Sequence, residues 1–72
     1  SSYSVFLKII EAAIDEGEII SRDNFCAEEI TYSLWALIHG MGMLRLTQLR
    51  NFNADFESIN RKAIETFIIG LK

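Results

Sequence analysis

The stretch from Leu34 to Leu46, LWALIHGMGMLRL, constrains this chain more than any other, because in thirteen residues only His39 and Arg45 are polar. No Pro stops the pattern, which stays apolar from Phe25 to Leu49, so the spacing predicts one long helix over about 24–50. Around Leu34–Leu46 almost every direction of that helix carries Leu, Trp, Ile, Met, Ala or Gly. A helix apolar on all sides must be covered on all sides. The membrane is excluded as the cover, since a span takes about 20 uninterrupted apolar residues.

Two further helices flank it. Val5, Phe6, Ile9, Ile10, Ala13 and Ile14 recur at helical spacing, with Lys8, Glu11 and Asp15 opposite, which predicts a first helix over about 3–16. Gly17 follows, where a left-handed cap suits Gly best. Ser21 or Asp23 can cap the second helix, and Glu28 and Glu29 suit its positive end. Asn51, Asn53 and Asp55 form a polar turn, after which Phe56, Ile59, Ala63, Ile64, Phe67, Ile68 and Leu71 define a third helix over about 55–71, capped by Asn53 or Asp55. The expected fold is all-α: three antiparallel helices with short connections. The apolar arc of the third helix covers about half its circumference, wider than the ~100° stripe of one buried face. Two companions cannot surround the second helix either, so upstream sequence, a second copy, or both must supply the missing neighbour. With 72 residues, one cysteine and no evident metal site, association is the remaining source of stability.

Composition closes several other routes. Seven basic against ten acidic residues give a net charge of −3, which argues against direct nucleic-acid contact. Cys26 has no internal partner for a disulfide, which fits a reducing, cytoplasmic setting. Ser1-Ser2-Tyr3-Ser4 lacks an initiator Met and a targeting pattern, so the chain reads as a processed piece of something longer.

Trp35, His39 and Met43 are spaced to share one helix face. They read either as the wall of a ligand cavity or as a core stripe whose His finds one hydrogen-bond partner. A metal at His39 fails, because there is no second His and Cys26 lies thirteen residues upstream. No cofactor is expected. Gly40 and Gly42 each cost up to ~1 kcal/mol in a helix interior, and close approach of a neighbouring backbone is the expected compensation. Arg45 either pairs with a carboxylate such as Glu65 of a neighbouring chain or stays solvated at a rim. No catalytic set of Ser, His and Asp and no paired-carboxylate cleft occurs, so an enzyme is not expected.

The succession IIEAAIDEGEI (9–19), EEITYSLWALIHGMGMLRL (28–46) and KAIETFIIGLK (62–72) resembles the C-terminal part of TetR-type transcriptional regulators. The Trp35, His39, Gly40 stretch and the terminal Gly70-Leu71 carry the likeness. The resemblance implies a homodimer in which the last two helices of each copy build a four-helix interface. It also implies an effector-sensing role for this part and an operator-binding helix-turn-helix domain outside these residues. The dimer interface expected on that basis comprises Leu34, Ile38, Met41 and Arg45 with Ile64, Phe67, Ile68 and Leu71. Trp35, His39 and Met43 then face the first helix or a small-molecule effector. The alternative is a stand-alone helical module that docks a partner protein.

Overall fold

The computed structural model describes residues 1–72 and is all-α, with α1 over Ser2–Asp15, α2 over Ala27–Leu46 and α3 over Phe56–Gly70. Each helix end has a local cause. The Ser1 hydroxyl accepts from the Ser4 N–H at 3.3 Å and caps α1. At its other end Gly17 adopts φ +78°, and the N–H groups of Glu18 and Gly17 donate to the carbonyls of Ala13 and Ile14 at 2.9 and 3.0 Å. That pair of bonds satisfies two carbonyls the last turn leaves open.

The second helix is shorter at both ends than its apolar pattern predicts. It starts at Ala27 rather than near residue 24, because Arg22 and Phe25 exchange two backbone hydrogen bonds at 3.1 and 2.9 Å and hold Asp23 and Asn24 in a turn. Cys26, and neither Ser21 nor Asp23, occupies the cap position, and its N–H donates to Glu29 Oε1 at 3.0 Å. The helix ends at Leu46 rather than near residue 50. There the Thr47 hydroxyl donates to the Met43 carbonyl at 2.6 Å, and the Leu49 N–H reaches back to Leu44 at 2.8 Å. Asp55 caps α3, its carboxylate accepting from the Ser58 N–H at 3.2 Å.

The helices run antiparallel in sequence order. Tyr3 and Phe6 at the start of α1 meet Trp35, while Arg45 near the end of α2 meets Phe56 at the start of α3. Both α1 and α3 lie on α2, but they do not pack on each other. The core is correspondingly small: Ile10, Ile19, Ile30, Leu34 and Leu71, with Phe6, Ile14, Leu37, Ile64 and Phe67 partly buried around it. Thr31 is fully buried and donates its hydroxyl to the Ala27 carbonyl at 2.7 Å, so no polar atom is orphaned there. The connection after α1 is stitched to the far end of the chain, the Ile20 N–H donating to the Leu71 carbonyl at 2.8 Å.

The resulting shape is a slab of 41 × 26 × 19 Å. Its radius of gyration is 13.8 Å, against about 11 Å expected for a compact chain of this length. No helix is long and apolar enough to cross a membrane.

Candidate interaction surface

Trp35 is the hinge between the inside and the outside of this slab. Its indole is half-buried, with the Tyr3 ring edge-on at 5.4 Å and the Phe6 ring tilted at 5.8 Å. His39 stacks on the same indole at 4.7 Å and 28°. Thus Trp35 fastens α1 to α2, and the imidazole, itself exposed, continues the aromatic column outward. Met43 is 57% exposed. The three residues expected to share a face therefore do so, but they wall no enclosed cavity. Ile38, His39, Gly42, Met43 and Leu46 form only a shallow, open depression of about 310 Å³.

The eight residues expected at a dimer seam divide. Leu34 and Leu71 lie in the chain's own core at 5% and 4% exposure, so their surface is already used within one copy. Ile64 and Phe67 are half-buried against that core. Ile68 faces a groove between α1 and α3, and Met41 is half-buried on α2. Ile38 and Arg45 keep free surface. The Arg45 guanidinium sits over the Phe56 ring at 4.7 Å, a cation–π contact between α2 and α3 that neither sequence alternative named. The ion pair present elsewhere, Arg61 with Glu57 at 3.4 Å, is an exposed contact within one helix and adds little.

The groove itself escaped the sequence reading. It measures about 330 Å³ and is walled by Phe6, Ile9 and Ala13 of α1 and by Ile68 and Leu71 at the end of α3, with Leu34 between them. Glu18 and Lys72 are its only charged members. The amphipathic spacing of α1 and α3 carried a signal for it, but only the absence of α1–α3 packing opens the space between them.

Gly40 and Gly42 have nothing within 4 Å of the place a β-carbon would occupy. The close packing expected to compensate for them does not occur within one copy. Cys26 is a half-buried free thiol, its Sγ donating to Glu28 Oε2 at 3.5 Å. No group of three or more His, Cys, Asp or Glu is placed to hold a metal ion.

What remains is exposed apolar surface. Tyr32, Met43, Leu46, Phe52, Ile59 and Ile69 are all more than half exposed, and only six of 72 residues are buried. The accessible area is 5404 Å², whereas a monomer of this mass exposes about 4,500 Å². Compared with known proteins, the chain matches no family model, no curated protein and no solved structure.

Proposed function

We propose that the chain is an association element that pairs with a second copy of itself, the role that the C-terminal helices of a TetR-type regulator play. The observation carrying this reading is the surplus of exposed surface, about 900 Å² over the expectation for its mass, together with the large apolar side chains left more than half exposed. A standard specific interface removes about 800 Å² per partner. One additional partner of ordinary footprint therefore brings the exposed area back to that of a normal globular protein.

In the regulator reading, the groove between α1 and α3 is the place for an effector. Its ~330 Å³ lies at the lower end of small-molecule sites, its walls are apolar, and Glu18 and Lys72 offer polar handles. Operator binding belongs to a helix-turn-helix segment outside residues 1–72. Such a segment upstream of Ser1 supports the regulator reading over a stand-alone interaction module, and an initiator Met directly before Ser1 sinks it.

The association itself is tested by sedimentation equilibrium across a dilution series. The expected mass is twice 8.2 kDa at micromolar concentration, falling toward 8.2 kDa on dilution. A well-folded species of 8.2 kDa at every concentration removes the proposal.

A further inference from the structure

We infer that the second copy lies antiparallel across the outer side of α2, crossing it near His39; the inference rests on the association reading and specifies its face and register. Counting 100° per residue, Tyr32, Ala36, His39, Met43 and Leu46 fall on one stripe of α2, on the side of the helix away from the core residue Leu34. All five are exposed, Tyr32 at 66% and Leu46 at 73%. The stripe holds no permanent charge along its length, which at about 1.5 Å per residue is about 21 Å from Tyr32 to Leu46. No other helix offers this. On α3 the exposed Ile59 and Ile69 are separated by Lys62 and Glu65, and on α1 the exposed Val5 and Ile9 flank Lys8.

The occupant and its direction follow from three features. The surplus area matches the footprint of one partner, as set out above. The ends of α2 carry opposite charge: Glu28 and Glu29 open it, while Arg50 lies just past its end with no acidic residue until Asp55; Arg45 is on the core side of the helix, over Phe56, and faces away from the stripe. A parallel copy would set acid against acid, whereas an antiparallel one sets acid against base and also opposes the helix dipoles favourably. Third, the stripe is self-complementary about its middle. Tyr32 and Leu46 each lie seven residues from His39, so a two-fold axis there pairs Tyr32 with the partner's Leu46 and sets small Ala36 against the partner's Gly42. Gly40 and Gly42 flank the stripe, about 80° to either side of its middle, and add no bulk beside it. The two faces anticipated from sequence thereby exchange roles. His39 and Met43 meet the partner, while Leu34, Ile68 and Leu71 line the groove inside.

Cysteine cross-linking separates this register from the wider association reading. In a Cys26→Ser background, His39→Cys places two thiols at the axis, within the ~7 Å between Cα atoms that a disulfide requires. Mild oxidation is expected to convert most of that variant to a covalent dimer and little of an Ile59→Cys counterpart. Sedimentation showing a dimer while Ile59→Cys links and His39→Cys does not overturns the register and leaves the association reading standing. A monomer at all concentrations, as expected if other sequence covers the stripe, overturns both. A second measurement does not depend on oxidation. Leu46→Glu is expected to raise the dissociation constant at least tenfold, and adding Tyr32→Lys is expected to restore most of the loss, since the two charges meet only in the antiparallel register. Absence of that rescue in variants with unchanged helicity rules the register out.

Discussion

At the scale of single residues, stability rests on few side chains. Ile30 and Leu34 are 0% and 5% exposed, and no second buried cluster shares the load. Leu34→Ala should cost about 2–5 kcal/mol, the usual range for emptying a leucine site. In a chain this small that is a large fraction of the total. A urea titration followed by circular dichroism will measure it; a midpoint within error of the parent would show that the core does not depend on Leu34. Arg45→Ala should cost only about 0.5–1 kcal/mol, the value of an exposed cation–π contact such as that with Phe56. A loss of several kcal/mol in the same titration would mean that the guanidinium does more than cover that ring. Sequence made Leu34 recognisable as apolar and helical, but not which copy it packs in. Its periodicity is the same whether the hole it fills belongs to α1 and α3 or to another molecule. His39 illustrates the converse. Its spacing from Trp35 put the two rings together, but only the start of α1, through Tyr3 and Phe6, decides that Trp35 is covered and His39 is not.

At the scale of helices, ends were harder to read than centres. All three helices and their order were legible because apolar periodicity is a local signal, and the cap of α3 was narrowed to Asn53 or Asp55, of which the structure uses Asp55. The limits of α2 were not legible, because they are set by competing hydrogen bonds: the Arg22–Phe25 exchange at one end and the Leu49 N–H, turned back to the Leu44 carbonyl, at the other. Neither leaves a trace in hydropathy. Cys26 as a cap was also missed, since it is the Glu29 carboxylate, reaching back to the Cys26 N–H, that closes the first turn. Gly17 is the clearest local determinant. At φ +78° a side chain meets no neighbour but does meet its own backbone, so Gly17→Ala should destabilise by about 1–2 kcal/mol. Thermal unfolding will check this. An unchanged or higher midpoint would mean that the turn can be rebuilt without a left-handed residue.

At the scale of the whole molecule, the slab shape and the association reading are one problem. A chain that leaves most of its apolar side chains partly covered or exposed gains stability from whatever covers them, increasingly so at higher partner concentration. The melting temperature should therefore rise with protein concentration, by several degrees per hundredfold in calorimetry. A concentration-independent transition would place all the stability within one copy. Surplus area was foreseeable from the breadth of the apolar arcs, whereas its division between an inner groove and an outer stripe required knowing that α1 and α3 each pack on α2 and not on each other. The bond from Ile20 to Leu71 has a consequence of a different kind. It joins positions fifty-one residues apart, and Leu71 is itself one of the five core side chains. During synthesis, then, α1 and α2 leave the ribosome with their shared core still open on one side. The core closes only once the last turn of α3 is available, so until then the growing chain exposes apolar surface that can associate wrongly.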